Sequence, residues 1–532
     1  MLRKGTACAF ALFAAVIGSP AAAATTRATP PASPEPATTV AMFAEAPAEA
    51  RAFFQQAEAA DRIEDPLARC LAFPDLPGNQ WPAGLAKAYC DFAFGPRITL
   101  GQAKALLDRG AVAELDALYA ADLEKHFSAT AFSEVIHRDF DDFDASYDAG
   151  RFTKDWLDKA PTSAYALSAR GDYYRAMAWQ ARGGKWAKDT PDENFARMAE
   201  FAKLALDLYD KALKVEPRLM PAYVGLISVS GMASDPARQS RAFKAAAKVD
   251  PACVSMMRVT MGLLRPRWDG SYPAMQQYAE TMAPFVARRP LIGIHLQDAL
   301  QDIGNVLWRD KKYDQAIAVL KPATLQTTNV NLYYELGWSM VNAANDWDTT
   351  EILLEAARFD HSPDADYQFA IRSLGRLLLL TAKRPDWAAR YLKEAVALKS
   401  DDSFAHYSLA ASYLNGGHYA QAESEYRIAM QDKDQRRDSL RELAMTLLAA
   451  HRPQDALVVA KTLNAEYPDF AWGWGMRSDI AVELHDGPGV LEAIHRYVEV
   501  ADRSDPEQRL EAERLERWLR ENVHAIQSKT RR

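Results

Sequence analysis

The densest group of potentially reactive side chains in this sequence is an acidic string that begins at His137. It holds four carboxylates within six residues, and carboxylate oxygens are the ligands that hard cations take. However, the string lacks the glycine and the closing glutamate of a calcium loop. A simpler explanation of the string is a polar helix start, where aspartates lie near the positive end of the helix dipole while Phe140 and Phe143 pack inward. We therefore predict no metal at these carboxylates, which are Asp139, Asp141, Asp142 and Asp144.

Motifs for catalysis or cofactor binding are absent. The sequence contains no Gly-x-Ser-x-Gly, no His-Glu-x-x-His, no phosphate-binding Gly-x-x-x-x-Gly-Lys and no dinucleotide fingerprint. Neither paired Cys-x-x-Cys nor His-x-x-x-His spacing supports a zinc site, and Cys253 is expected to be buried and inert. We predict no cofactor and no enzymatic activity.

The alternative is a carboxylate-dependent hydrolase or sugar-processing enzyme. Its site would lie where the acidic string and an insertion around Trp186 converge on the start of the helical array described below. Such an enzyme should have a deep pocket lined by two carboxylates, or by a carboxylate and a histidine. A binding scaffold should instead have a shallow, open groove.

The N-terminus has the pattern of a secretory signal peptide. Arg3 and Lys4 precede an apolar run over residues 7–17, which is shorter than the roughly 20 residues needed to span a membrane. We predict a signal peptide over residues 1–24, cut before Thr25, and a Pro/Ala/Thr-rich linker over residues 25–40. The expected compartment is the bacterial periplasm, with secretion as the alternative. No membrane insertion is expected after cleavage.

Cysteine usage and charge restrict the partners and the chemistry further. In an oxidising compartment, Cys70 and Cys90 are candidates for a disulfide across the turn at residues 73–79; the alternative is two buried free thiols. The net charge is −8, and no Lys/Arg cluster stands out. Nucleic acid and anionic membrane surfaces are therefore not expected partners, because both require a basic face.

A spacing of large and small residues recurs along most of the chain. Pro217 and Pro251, which close successive units, are 34 residues apart. This spacing resembles the tetratricopeptide repeat (TPR) superfamily over residues 161–505, in about nine units with an insertion near residues 179–200. The resemblance implies an all-α, right-handed superhelical array of helix-turn-helix units; the alternative is an ordinary helical bundle. One copy of the grid is carried by Tyr413, Ala422, Tyr426 and Ala429.

Two further segments flank the array. Residues 506–532 are predicted to form a capping helix, which starts at the Asp505-Pro506 pair. Residues 41–160 are predicted to form a smaller helical domain that does not follow the grid. This part resembles the bacterial domain of unknown function 4034 over roughly residues 50 to 290, and that family has no assigned activity. The resemblance is carried by Ile63 to Asp75, Ala88 to Cys90, Asp139 to Asp142 and Arg267 to Ser271.

A helical array of this type favours a scaffold that binds a protein or peptide on its concave face. Residues two, five, six and nine places into each unit should lie on the first helix, facing away from the second. Asparagine and tyrosine at such positions can hydrogen-bond an extended peptide. Self-association through the same face is a further alternative. The candidate groove residues are Asn305, Asn331, Tyr334, Glu335, Asn342, Tyr407, Arg441 and Trp472.

Overall fold

A computed structural model describes residues 43–128, 133–184, 189–343, 346–362 and 364–530. The predicted signal peptide and linker lie outside these residues, as does Trp186 of the predicted insertion. Residues Glu45–Arg532 form one compact unit. Throughout the described ranges the secondary structure is helical and no strand occurs, which confirms the all-α prediction.

Seven helices precede the array. Several of them begin after a residue whose side chain caps the helix. Asp65 and Ser146, for example, each accept a hydrogen bond from the backbone amide three residues later. The seven helices are α1 (Arg51–Ala60), α2 (Pro66–Ala72), α3 (Leu85–Phe94), α4 (Leu100–Asp108), α5 (Val112–Phe127), α6 (Val135–Asp139) and α7 (Tyr147–Lys159).

Nine helical pairs follow, and the first helices of neighbouring pairs also contact one another along most of the array. We call the face that these first helices form the A-helix face. The pairs, numbered one to nine, are α8 (Ala164–Arg182) with α9 (Asp192–Val215), α10 (Met220–Met232) with α11 (Pro236–Val249), α12 (Val254–Leu263) with α13 (Tyr272–Met282), α14 (Asp298–Arg309) with α15 (Tyr313–Thr324), α16 (Val330–Ala343) with α17 (Asp346–Phe359), α18 (Ala365–Leu380) with α19 (Pro385–Leu398), α20 (Ser403–Asn415) with α21 (Tyr419–Ala429), α22 (Lys433–Ala449) with α23 (Pro453–Glu466), and α24 (Ala471–Glu483) with α25 (Gly487–Val500).

The grid of large and small residues corresponds to the packing within pairs. A Cβ atom added to Gly304 would lie 2.3 Å from the side chain of Leu320 on the partner helix. A Cβ atom added to Gly337 would likewise lie 2.5 Å from the side chain of Leu353. The small residue therefore lets the two helices approach closely while the leucine fills the space between them. This arrangement confirms the repeat architecture that the spacing predicted.

The first three helices lie against the central pairs of the array, and we call residues 51–94 the strap. The side chain of Arg358, at the end of α17, donates hydrogen bonds to the carbonyl oxygens of Cys70 and Pro74, each at 3.1 Å. Further along, the indole of Trp81 donates to the carbonyl of Thr324 at 2.9 Å. A disulfide joins Cys70 to Cys90 and closes the strap on itself.

The array ends in α26 (Pro506–Thr530), whose side chains the structure describes as far as residue 521. Asp505 caps this helix, because its carboxylate accepts a hydrogen bond from the backbone amide of Glu507 at 2.9 Å. Ala512 and Leu515 are buried against the ninth pair. In the described part of the chain, every helix is too short or too polar to cross a membrane.

Candidate functional site

Three predicted groove residues of the central pairs, Asn305, Tyr334 and Glu335, are engaged within the array. Glu335 is 4% exposed, and one of its carboxylate oxygens accepts hydrogen bonds from the amides of Gln301 and of Asn305, the latter at 2.8 Å. Burial raises the pKa of Glu335 to about 8, against the opposing effect of these two amides. Tyr334 is 2% exposed and donates to the carboxylate of Asp360 at 2.7 Å. The central A-helix face is thus an interlocked polar layer.

The remaining predicted groove residues differ in their surroundings. Asn331 is exposed, whereas the side chain of Asn342 lies outside the described residues. Arg441 is half-buried and forms an ion pair with the adjacent Glu442. The rings of Tyr407 and Trp472 pack against Tyr426 and Tyr497, at 5.6 and 5.9 Å between centroids, and so face the second helices of their own pairs instead of pointing away from them.

The acidic string begins in the last turn of α6 and continues into the loop before α7. It does not lie at a helix start, so the expected helix-dipole role is wrong. Its carboxylates instead hold the loop that leads into α4. Asp139 accepts from the backbone amide of Ile98 at 2.8 Å, and Asp142 pairs with Arg97 at 2.8 Å. Phe140 and Phe143 are buried, as predicted. Of the four carboxylates, Asp141 is exposed and lines a pocket.

That pocket has a volume of about 410 Å³ and lies on the A-helix face of pairs one to three. The positional rule that selected Asn305 also selects half of its lining, seven of the 14 residues, when it is applied to α10 and α12. Sequence reasoning missed the site only because the rule was applied from pair four onward. The lining comprises Phe92, His137, Phe140, Asp141, Asp172, Arg175, Trp179, Pro221, Val224, Gly225, Ser228, Ser255, Arg258 and Val259.

One wall of the pocket is a closed hydrogen-bonded group on α8. Asp172 is 4% exposed and accepts hydrogen bonds from Tyr209 and Arg175, each at 2.9 Å. Tyr209 reaches this position because Gly225 offers no side chain; an added Cβ atom would lie 2.3 Å from the tyrosine ring. Burial raises the pKa of Asp172, and Arg175 opposes the shift. The positive charge of Arg175 is therefore balanced within the protein.

The opposite wall carries two charges that are not engaged in this way. Arg258 on α12 and Asp141 are both exposed, and neither forms a hydrogen bond or an ion pair through its side chain with a residue in the described part of the chain. Partial desolvation raises the pKa of Asp141, against the effect of Arg258 and Arg138. An arginine of this kind offers a fork of donors to a carboxylate. The pocket can accept an anionic group beside apolar walls.

A second cluster lies next to the pocket and shares His137 with it. Potential ligand atoms of His126, His137 and Cys253 all lie within 4.8 Å of one another, and all three residues are buried. Two carboxylates adjoin it: Asp250 lies 2.9 Å from Nε2 of His126, and Glu134 lies 3.5 Å from Nε2 of His137. The cluster joins the end of α5, α6 and the start of α12, so no local spacing motif could have predicted it. The prediction that Cys253 is buried is confirmed.

Comparisons with known proteins agree with part of the sequence-based resemblance. The family model described as domain of unknown function (DUF4034) matches residues 100–246. This is narrower than the predicted extent: Asp139 to Asp142 lie inside the match, whereas the strings near Cys70, Cys90 and Trp268 lie outside it. None of the curated proteins matches this chain. The chain has an all-α helical-repeat fold, and residues 100–246 are similar to the DUF4034 family.

Similar solved structures are helical-repeat proteins of low identity. The crystal structure of YrrB, described as a TPR protein with an unusual peptide-binding site, is 19% identical with a TM-score of 0.31, over 37% of this chain and 96% of that chain. PilW, a type IV pilus biogenesis factor, is 17% identical with a TM-score of 0.31, over 38% and 91%. The Cut9–Hcn1 hetero-tetramer of APC/C is 10% identical with a TM-score of 0.32, over 87% and 96%.

Proposed function

We propose that this protein is an exported scaffold that binds a protein or peptide partner through the A-helix face of pairs one to three. In this proposal a carboxylate of the partner binds Arg258, and an adjoining apolar side chain lies against Val224 and Val259. A backbone amide or ammonium group of the same segment lies near Asp141. The occupant is thus a peptide segment that carries a carboxylate.

The unpaired Arg258 in a preformed pocket is the observation that carries this proposal. A guanidinium that faces a pocket without a hydrogen-bond partner is a ready binding group for a carboxylate, since bidentate pairing adds both energy and orientation. On the central A-helix face, by contrast, Glu335 and Tyr334 are buried and already hydrogen-bonded. The pocket is therefore a better candidate than the groove positions that sequence selected.

Export to the periplasm remains part of the proposal. It rests on the signal-peptide pattern of residues 1–24 and is supported by the disulfide between Cys70 and Cys90, because such bonds persist in oxidising compartments. We expect the protein isolated from a periplasmic fraction to begin at Thr25. A mature protein that retains residues 1–24 and stays with the cytosol would contradict this part.

One observation favours the hydrolase alternative, namely that Asp141 and His137 line the same pocket. Two features weigh against it. Asp172, the second carboxylate of the pocket, is already engaged by Tyr209 and Arg175. Burial holds the pKa of His137 well below its ordinary value, so that the imidazole is a poor proton acceptor near neutral pH. Hydrolysis of a substrate panel that is lost in Asp141→Asn would favour the enzyme over the scaffold.

The binding proposal is tested by affinity capture from cell-envelope extract with immobilised wild-type protein, followed by mass spectrometry. We use Arg258→Glu as the test variant, because a carboxylate at this position should repel the group that Arg258 binds. Arg241→Glu is the matched control, since Arg241 is exposed on α11 and does not line the pocket. Both variants change the net charge equally, so that nonspecific electrostatic binding is controlled.

We expect a partner that the wild type and Arg241→Glu retain and that Arg258→Glu loses. Titration of the wild type with a peptide from that partner, with and without its carboxylates amidated, then tests the contact directly. A loss of one to two orders of magnitude in affinity on amidation is expected for a buried charged hydrogen bond. Equal retention by all three proteins would place the binding surface elsewhere.

A further inference from the structure

The buried cluster beside the pocket combines four side chains of the kinds that bind zinc. His126 ends α5, Glu134 and His137 belong to the α6 region, and Cys253 precedes α12. Imidazole nitrogen, thiolate sulfur and carboxylate oxygen are the ligands found in zinc sites. All four residues are at most 8% exposed, so an ion here would be shielded from solvent.

The separations between these side chains correspond to those of a tetrahedral site. The Nε2 atom of His137 is 3.5 Å from the Sγ atom of Cys253 and 3.5 Å from Oε2 of Glu134. That same oxygen is 3.8 Å from Nδ1 of His126. Metal–ligand bonds of about 2.0 to 2.3 Å in a tetrahedron give ligand separations of about 3.3 to 3.8 Å. Three of the six separations thus fit one ion, and the ligand atoms of His126, His137 and Cys253 all lie within 4.8 Å of one another, so that binding would draw these side chains together around it.

A carboxylate holds the ring of His126, as is usual for histidines that bind a metal. Its Nε2 atom is 2.9 Å from the carboxylate of Asp250, so that Nδ1 is directed towards Glu134. Asp250 is in turn paired with Arg289 and accepts a hydrogen bond from the backbone amide of Ala252 at 3.0 Å. A carboxylate that holds the second nitrogen of a ligating histidine fixes its tautomer and direction.

The hydrogen bonding of Glu134 provides a second, independent indication of a ligand. Its Oε1 atom accepts a hydrogen bond from the backbone amide of Val254 at 3.4 Å. Its Oε2 atom, which is the one nearest to both histidines, accepts no hydrogen bond from any residue that the structure describes, although Glu134 is only 2% exposed. A buried carboxylate oxygen without a partner is costly, and a bound cation would compensate it.

The charges of the cluster also balance with a divalent cation. Glu134, Asp250 and a Cys253 thiolate carry three negative charges, and Arg289 with Zn²⁺ carries three positive ones. The two histidines would be neutral, which is the form that binds metal. Buried charges are tolerated when they are paired in this way.

We propose that His126, Glu134, His137 and Cys253 form a closed, four-coordinate zinc site. All four positions of a tetrahedron are taken by protein ligands, so the site is structural and not catalytic. The ion would join the helices before the array to the start of pair three, beside the pocket that includes His137 and Arg258. The zinc proposal does not depend on partner binding, and either can fail without the other.

Cobalt substitution tests the site, because Co²⁺ takes the place of Zn²⁺ and gives a sulfur-to-cobalt charge-transfer absorption when a thiolate binds it. The full chain, with the Cys70–Cys90 disulfide verified by mass spectrometry, is freed of metal with a chelator and titrated with Co²⁺ and then with Zn²⁺. The test variants are Cys253→Ser and His126→Ala. The control is His418→Ala, at an exposed histidine.

We expect one ion per chain, a charge-transfer band that is lost in Cys253→Ser, and affinity at least tenfold weaker in His126→Ala. The band should persist in His418→Ala, and Zn²⁺ should displace it and raise the melting temperature of the wild type. If the test variants fail to fold, the spectrum and stoichiometry of the wild type and of His418→Ala still decide. Substoichiometric uptake, or a band that is absent from wild type or persists in Cys253→Ser, would overturn the proposal.

Discussion

The first helices of pairs one to three differ from those of pairs four to six in the side chains at equivalent repeat positions. In the former these side chains leave a pocket, and in the latter they fill the surface. In pair two these positions are Pro221, Val224, Gly225 and Ser228, whose small side chains leave a pocket between the neighbouring helices. In pairs four and five they include glutamine, asparagine, tyrosine and glutamate, which reach the adjacent helix and interlock. The comparison teaches that position in a repeat determines which way a side chain faces, whereas its size and its partners determine whether the surface stays open.

The strap adds to this difference. It contacts the ends of α15 and α17 in the central pairs through Trp81 and Arg358. The strap also reaches pairs one to three, where Phe92 lines the pocket. In the central pairs it adds to their own polar layer, whereas Arg258 in pair three stays exposed. We expect mutations in the two regions to separate stability from binding.

The largest effect is expected from Arg358→Ala, which removes the contacts between α17 and the strap. The side chain of Arg358 is 3% exposed, and its loss leaves the carbonyl oxygens of Cys70 and Pro74 without their donor. A buried acceptor left unsatisfied costs about 1 to 3 kcal/mol, so the two together cost about 2 to 6 kcal/mol of unfolding free energy. Urea denaturation measures this loss, and amide hydrogen exchange should show faster exchange in residues 51–94.

The control for this variant is Arg427→Ala. Arg427 is exposed and pairs with Glu423 one turn away at 2.8 Å, a contact that contributes about 0.3 to 0.5 kcal/mol. Capture of a partner by the pocket should survive in both variants. A loss below about 1 kcal/mol in Arg358→Ala would mean that the strap does not stabilise the central pairs.

The second effect is a pH dependence that belongs to the central pairs. Burial raises the pKa of Glu335 to about 8 from 4.5, so the folded protein keeps this proton over a range in which the unfolded chain has lost it. The free energy of unfolding should therefore fall as pH rises from about 4.5 to about 8, by on the order of 3 kcal/mol from this residue.

Glu335→Gln should remove that component. Relative to the wild type, the variant should gain stability between about pH 5 and pH 8.5 in urea denaturation. Glu280→Gln, at an exposed position on α13, is the control and should follow the wild type. Parallel curves for the wild type and Glu335→Gln would contradict the buried, protonated carboxyl group.

A third, smaller effect is expected from a substitution in the pocket of pairs one to three. Gly225→Ala places a Cβ atom 2.3 Å from Tyr209, which must move away from Asp172. We expect a destabilisation of about 1 to 3 kcal/mol from this overpacking, together with weaker partner binding.

Gly262→Ala is the matched control, because nothing lies within 4 Å of its added Cβ atom on α12. It should be neutral or more stable by up to about 1 kcal/mol, as helix propensity predicts. Equal melting curves for the two variants would refute the close approach.

The smallest effect is expected from Asn331→Ala, at the exposed groove position of pair five. It should change the free energy of unfolding by less than about 0.5 kcal/mol, as surface substitutions do. In the capture experiment it should retain the same partner as the wild type. If it loses that partner while Arg258→Glu keeps it, the binding surface belongs to the central pairs after all.

The sequence by itself determined the repeat architecture. A 34-residue step with glycine opposite leucine can be satisfied by packed helical pairs, because the small residue is needed wherever two helices approach closely. The same register also places the pocket residues of α10 and α12 on the A-helix side once the rule is applied there, although it was wrong for Tyr407 and Trp472. These are local properties, since each depends on residues within one pair or between neighbours.

Only the tertiary structure decided which of those residues are available. Tyr334 is hydrogen-bonded to Asp360, and Glu335 is hydrogen-bonded to Gln301 and Asn305. Arg258 has no such hydrogen-bond partner within the described residues. The same holds for the buried cluster, whose His126 and Cys253 are more than a hundred residues apart. The physical reason is that burial and hydrogen-bond pairing depend on which distant side chains meet, and the spacing of residues along the chain does not record that.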